Sequence, residues 1–531
     1  MDHSHGQRES RIPAQWLAST PLMDDQQTGS LRHILNLAAR LPDDWSGMQG
    51  RTTLQEDFGA LRFQLAYMAF ALGLAHVHRL PAAPGVFRQP FDSLIGKILS
   101  PDVWTYWHYV GTGNGPFNKS LGEQPAQWDP VVRDNIMYSA YVQSMALLYH
   151  YLFRDNKYAA EGALTFSINP LFWAEGGKHF AYDERSLNAH LYWGMVERGY
   201  LGIACEPNCV FQICNQIPIL GFRFHDLVYG GSTAQEVTTG YLQAWSEFGV
   251  LNKEGHFNMM VQERERQVIT PDTLPWTDFW MASMMHAWNP DFVQQHYPRF
   301  VEKWVIEGQD GSAWVNPAPA LAPGAGERAS GYDFGWAAVC ASELGDEALL
   351  KRMHAYANAH LDPTWQQGGL YYPRCDQRLD EVGRLRGMDP HTGNALLPYS
   401  RLNVAGGLRR LYEGPLQDDH FAQPGLAAIT PSLDVRRAWF DPHVNALALT
   451  LGPVRDSKAK PETRLELANA WHRGAWRLER DQGLLAYGDA DRVLWTSPGV
   501  RVERGQDERA QDLMIVELDI VDTTTLLLSW N

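Results

Sequence analysis

Cysteine is scarce in this chain: five among 531 residues, an odd number. That count speaks against a disulfide framework and for thiols kept reduced. Long apolar runs are also missing. No segment offers about twenty uninterrupted apolar residues, so no membrane span is expected. The N-terminal stretch MDHSHGQRESRIPAQW lacks the apolar centre of a secretory signal. A cytoplasmic protein is therefore the expectation. Basic residues are outnumbered, 45 Lys and Arg against 61 Asp and Glu, for a net charge of −16. That balance argues against a nucleic-acid partner, which needs a basic face. No run of like charge is long enough to act as a tail, and no short repeat marks a solenoid.

Aromatic residues are plentiful: 20 Trp, 21 Tyr and 21 Phe. Such a load suits either a deep apolar pocket or helix packing. Residues 1–29 are polar and read as a partly ordered arm. Ser30 is a fair N-cap for a helix with Leu31, Ile34, Leu35, Ala38 and Leu41 at helical spacing. From Phe58 to Leu80 there is no polar face, and an all-round apolar helix is a buried one. Asp134 to Phe153 is a second of that kind. Further helices are expected near 91–99, 184–199, 212–229, 233–248, 275–288, 291–307, 331–344, 346–360 and 396–413. Apolar and amphipathic helices alternate, as two concentric rings require. The reading is a mainly α chain: an α/α barrel over 30–414, of six hairpins, (α/α)6. Residues 415–432 are rich in Pro, Asp and Gln. Beyond them the pattern turns to period two, which predicts a small antiparallel β domain over 433–531.

The chemistry-bearing stretch is Ala204 to Gln216, ACEPNCVFQICNQ, with Cys205, Cys209 and Cys214. It reads as a loop feeding a buried helix. Its cysteines are open to three readings: small core hydrophobes, a metal site, or acid–base and redox thiols near a helix N-terminus. The metal reading is the weakest, because the spacing is not that of a zinc knuckle. Asp102 to Gly115 is loop-like and carries Trp104, Trp107 and His108, candidates for a pocket wall. Trp276, Asp278, Trp280 and His286 form another aromatic and polar face. The late loop Gly369 to Cys375, with Tyr372, is placed to close over a barrel mouth.

Cys205-Glu206-Pro207, six residues, then Cys214-Asn215 resembles the linalool dehydratase-isomerase family. Asp134 to Tyr138 (DNIMY) and His296 to Phe300 (HYPRF) resemble it too, and the resemblance spans roughly 30–413. It implies an α/α barrel, a cyclic homo-oligomer and cofactor-independent dehydration, or hydroxyl migration, of a tertiary allylic terpene alcohol. It implies Cys205 and Cys214 as the catalytic thiols, with Glu206 beside them. The family's catalytic aspartate falls where the match is poor; Asp44 is the choice, with Asp43 or Asn36 as alternatives. The family carries a histidine three residues after the DNIMY tyrosine. Here Tyr141 stands there, and a phenol with a reference pKa near 10 is a poor base at neutral pH. His108 is a possible replacement.

Loss of hydroxide from an allylic carbon needs a proton donor at oxygen, a base for a neighbouring C–H, and a dry site. The expected catalytic set is Cys205, Cys214, Asp44 and Tyr141. The expected substrate-binding set is Glu206, Tyr138, Trp104, Trp107, His108, Trp276 and Tyr372, with no metal and no cofactor. Two rivals stand beside this reading. A carbohydrate-active α/α barrel, hydrolase or lyase, would need two carboxylates flanking a cleft, for which Glu206 and Asp278 are candidates. A binding protein that kept the pocket and lost the histidine is the other.

Overall fold

The computed structural model describes residues 14–50, 55, 57, 59–113, 115, 117–173, 176–270, 274–317, 332–457, 462–481, 483–507 and 512–531. Residues 1–13 of the expected arm, and Phe58, lie outside them. The principal helices in chain order are α1 (Asp25–Ala38), α2 (Leu61–His78), α3 (Pro84–Ile98), α4 (Ile136–Phe153), α5 (Glu184–Glu197), α6 (Gln216–Tyr229) and α7 (Thr233–Trp245). Then come α8 (Pro275–Met285), α9 (Pro290–Trp304), α10 (Tyr332–Leu344), α11 (Glu347–His360), α12 (Leu397–Leu402) and α13 (Gly407–Glu413).

Helix composition decides position. Every residue from Leu61 to Val77 of α2 is buried, and all of α4 but His150. All of α8 and all of α12 are buried, as is Asp333 to Glu343 of α10. These helices have no face for water. With α6 they pack in cyclic order, α2 on α4, α4 on α6, α6 on α8, α8 on α10, α10 on α12, and α12 back on α2. Amphipathic helices lie outside: α3 on α2 and α4, α5 on α4 and α6, α7 on α6, α9 on α8, α11 on α10, α1 on α12. In α9 only Val293 and Phe300 are buried, the mark of an outer helix.

Several boundaries differ from the sequence expectation. Helix α1 starts at Asp25, not Ser30: Asp24 and Gln27 form a capping box that satisfies orphan N–H groups, and Ser30 is buried inside the helix. The segment from 212 begins as a strand end and turn, with α6 starting at Gln216. The helix expected over 396–413 is broken between α12 and α13, where Asn403 Nδ2 donates to the buried Glu343 carboxylate at 3.0 Å. Short helices Pro101–Trp104 and Trp107–Val110 occupy the aromatic stretch read as a loop. Small hairpins such as Leu164–Ile168 with Lys178–Tyr182 join the helices and were not foreseen.

The C-terminal part is two antiparallel sheets. One has strands in the order Gly425–Ile429, Glu462–Ala468, Asp512–Asp519, Arg501–Gln506. The other runs Leu433–Asp441, Ala446–Pro453, Thr524–Trp530, Trp476–Arg480, Gly483–Gly488, Val493–Thr496. The first strand falls within the stretch 415–432 that composition reads as a connector. Both sheets hold on to the turn before α3. Ala82 N–H donates to Ala438 O at 3.2 Å, and Leu426 N–H donates to Ala82 O at 2.7 Å. Arg32 of α1 adds a half-sheltered ion pair to Asp434 at 2.7 Å. Among the described residues no helix is long and apolar enough to cross a membrane.

Gly85 sits where the two parts touch: a Cβ there would stand 1.8 Å from Ala427 O, a backbone atom that cannot swing away. Gly85→Ala should therefore lower stability by about 1–3 kcal/mol, the usual cost of overpacking, read as a reduced denaturant midpoint. An unchanged midpoint would contradict this docking.

Candidate active site

The loop carrying the cysteines is shaped by its own polar residues. Asn215 reaches back twelve residues: its Oδ1 accepts from Ile203 N–H at 2.8 Å and its Nδ2 donates to Ile203 O at 3.0 Å. That clamp ties the two ends of the loop. Cys205 N–H donates to Cys209 O and Cys209 N–H to Glu206 O, both at 2.9 Å, closing a turn with Asn208 at φ 72°. Asn208 tolerates that left-handed conformation and is held by Arg264 N–H at 2.8 Å and Glu265 at 2.7 Å. Cys209 to Phe211 then pairs with Met260–Gln262. Gln212 Nε2 donates to Val250 O and Asn258 O, and Gln216 Oε1 accepts from Trp288. These amides are structural. Cys205, Glu206 and Cys214 remain as one group: each bears on the ionisation of its neighbours.

Burial raises the Cys214 thiol well above its ordinary range, and Cys205 and Glu206 push it the same way. Burial also raises Glu206, against the pull of Arg62 and the hydrogen bond from Cys205. Cys205 and Glu206 nevertheless keep some accessible surface. Arg62, in the first turn of α2, is the cation facing them. Its guanidinium lies over the rings of Tyr106 at 4.2 Å and Phe63 at 4.5 Å, and it opposes the upward shifts of Cys214, Glu206 and Tyr106. Behind the turn, a cavity of about 420 Å³ is lined by Arg133, Asp134, Pro207, Asn208 and Glu263. Arg198 bridges its carboxylates at 3.2 and 3.5 Å. The thiol group thus has charged neighbours outside and aromatic ones inside.

The aromatic side is built across the ring. Helices α2 and α8 are not neighbours, yet Trp280 Nε1 donates to Tyr67 Oη at 2.6 Å and Phe63 meets the Trp280 ring at 5.9 Å. Trp336 stacks on Trp280 at 4.5 Å, and Tyr399 closes on Tyr67 at 6.4 Å. Tyr141 packs edge-on against Phe63 and Tyr67, 6.0 and 5.8 Å away. Burial, Tyr67 and Cys214 all raise its phenol well above 10, so it stays protonated and cannot act as a base. Arg62, Tyr67, Tyr141, Cys214, Trp276, Trp280 and Trp336 all lie beside or within the first two turns of inner helices. The site therefore occupies the N-terminal end of the ring, where helix dipoles favour negative charge.

The expected residues divide accordingly. Cys205, Cys214, Glu206 and Tyr141 come together, and Trp276 joins the aromatic lining through Trp280 at 6.0 Å. The others have different occupations. Asp44 lies in the turn after α1, where its carboxylate accepts from Ser46 N–H at 3.0 Å. Tyr138 Oη donates to Ile98 O at 2.7 Å. Trp104 bonds Leu99 O and packs on the Leu164–Tyr182 hairpin. Trp107 is fully buried. His108 stacks on Trp128 at 3.8 Å, beside the exposed Tyr109. Tyr372 is engaged by Asn358 and Arg401, both at 2.6 Å. HYPRF lies on outer helix α9, with Tyr297 bonded to Asp346. Sequence reading missed Arg62, Phe63, Tyr67 and Trp336. The one available signal was a lone Arg in an otherwise apolar helix.

A family model described as linalool dehydratase/isomerase matches residues 62–378. Among solved structures, a GH76 α-mannanase of Bacteroides thetaiotaomicron is 12% identical with a TM-score of 0.41, over 73% of this chain and 97% of that one. Endoglucanase CelQ of Clostridium thermocellum, complexed with cellotriose, is 10% identical with a TM-score of 0.34, over 95% and 92%. Likeness that loose carries no argument about chemistry.

Removing the Arg62 charge should raise Cys214 and Glu206 further. Arg62→Met is expected to slow iodoacetamide alkylation of Cys214 at least about threefold near pH 8, since only the thiolate reacts. Peptide mass spectrometry reads the rate; an unchanged or faster rate would contradict the placement of Arg62.

Proposed function

The chain belongs to the linalool dehydratase/isomerase family, and on that premise we propose that it removes or relocates the hydroxyl of an apolar allylic alcohol, of terpenoid type, on an (α/α)6 barrel. The observation that carries the reading is that Cys214, Cys205 and Glu206 act on one another electrostatically, with Cys214 also acting on Tyr67 and Tyr141, at the aromatic end of the ring. A thiol held protonated by burial is a proton donor to a leaving hydroxyl. The aromatic walls keep water from the cation-like carbon. Cys205 and Glu206 stand beside Cys214 and help keep its thiol protonated until the hydroxyl arrives. Tyr141 orients as a neutral donor, and Arg62 offsets whatever negative charge the thiols and carboxyl take up. No step calls on a cofactor. Assembly into a cyclic homo-oligomer belongs to the same proposal, and light scattering reads it.

The carbohydrate reading ranks lower because Asp278 is committed elsewhere. Its carboxylate accepts from His256 at 2.7 Å, Trp304 at 2.7 Å and Phe257 N–H at 2.9 Å. It pins α8 to its surroundings rather than pairing with Glu206.

Turnover of tertiary allylic alcohols, followed by gas chromatography, tests the proposal. Cys205→Ala and Cys214→Ala should each lose about 10²–10⁴-fold in rate. Cys209→Ala should keep turnover and lose about 1 kcal/mol of stability, because Cys209 closes the turn through its backbone. Loss of activity only in Cys209→Ala, or in none of the three, contradicts the thiol assignment.

A further inference from the structure

With Tyr141 unable to accept a proton, the proposed reaction still needs a base. We propose that His391 supplies it, an inference that rests on the function proposed above and deepens it. His391 is wholly buried. It sits among inner-ring side chains: Phe63 at 5.7 Å, near-parallel at 27°; Tyr67 at 5.4 Å; Trp336 at 5.8 Å. Phe63 and Tyr67, one turn apart on α2, thus touch both Tyr141 and His391. The imidazole missing from position 141 is present against the same aromatic pair, delivered by a different helix.

The backbone that delivers it is unusual. Residues Thr392–Leu396 form a π-helical turn running straight into α12, a distortion that is rare and frequent at functional sites. It is fixed on both sides. Asp389 accepts from Thr392 N–H and Thr392 Oγ1, both at 2.9 Å. Gly393 passes so close to the Gly369–Cys375 loop that a Cβ would stand 1.9 Å from Tyr372 O. The bulge therefore holds His391 in one orientation towards Phe63 and Tyr67.

The proton balance closes without an outside reagent. Cys214 gives a proton to the substrate hydroxyl, the C–O bond breaks and water leaves. A carbon next to the cationic centre gives its proton to a ring nitrogen of His391, and that C–H electron pair becomes the new C=C bond. Cys214 is then one proton short and His391 one over. Transfer through the released water, past the Tyr67 and Tyr141 hydroxyls, resets both.

His391→Asn and His391→Ala test this beside the wild type. Both should keep the wild-type melting profile and Cys214 alkylation rate while kcat falls at least about 100-fold. Added imidazole should restore part of the activity of His391→Ala, which a structural role would not allow. A second readout needs no turnover: with ¹⁵N-labelled histidine, the signal that His391→Asn deletes should move when a monoterpenol such as linalool is titrated into wild-type protein. Full activity in His391→Asn, or a His391 signal that stays fixed at saturating alcohol, overturns the assignment. Should wild-type protein turn over no alcohol, the proposed function falls, while the imidazole signal still decides whether His391 faces the ligand.

Discussion

The site depends on one side-chain clamp. The Asn215 carboxamide takes both the N–H and the C=O of Ile203. Without it, the ends of the loop that carry Cys205 and Cys214 would lose their most direct tie to one another. Buried backbone groups must be paired, and here a side chain does the pairing that a strand partner would otherwise do. The same residue directly precedes the first turn of α6, so the clamp also fixes Cys214 at a helix N-terminus. Asn135 N–H, which donates to Cys205 O at 2.9 Å, ties this loop to the start of α4. Two inner helices and the thiol pair are thereby held in one arrangement.

Desolvation then sets the chemistry. The interior end of the ring is filled by Phe63, Tyr67, Trp280 and Trp336, and the thiols and Glu206 face it. Loss of water disfavours the charged form of each acid, which keeps Cys214 a thiol and Tyr141 a phenol. One buried cation, Arg62, limits that effect, and its position over two aromatic rings spares it a full loss of solvation.

Much of this was legible in the sequence, and the boundary is physical. The inner helices showed themselves because burial on all sides leaves no polar stripe, as in Leu61–His78 and Ile136–Phe153. The thiols showed themselves because Cys, Glu, Pro, Cys and Asn stand at fixed offsets within eleven residues. Asn215 as a clamp did not, because its partner is defined only once the loop closes. Arg62 and His391 lie far apart in sequence, and only ring closure brings Arg62 to the cysteine loop and His391 to Phe63 and Tyr67. Asp44 looked reactive by type but accepts from Ser46 within its own turn, and Tyr372, expected at the pocket, is engaged by Asn358 and Arg401. In the β part, the alternating strands near 465 and 513 were clear. Ala446–Pro453 was not, since burial on both faces erases its alternation.

The central claim is that the Cys214, Cys205 and Glu206 group breaks an allylic C–O bond. Isotope exchange measures that event directly. Linalool incubated with the protein in H₂¹⁸O should return as alcohol carrying ¹⁸O, accompanied by the dehydrated triene, and Cys214→Ala should abolish both. Recovered alcohol free of label, with no triene formed by the wild type, would contradict the account.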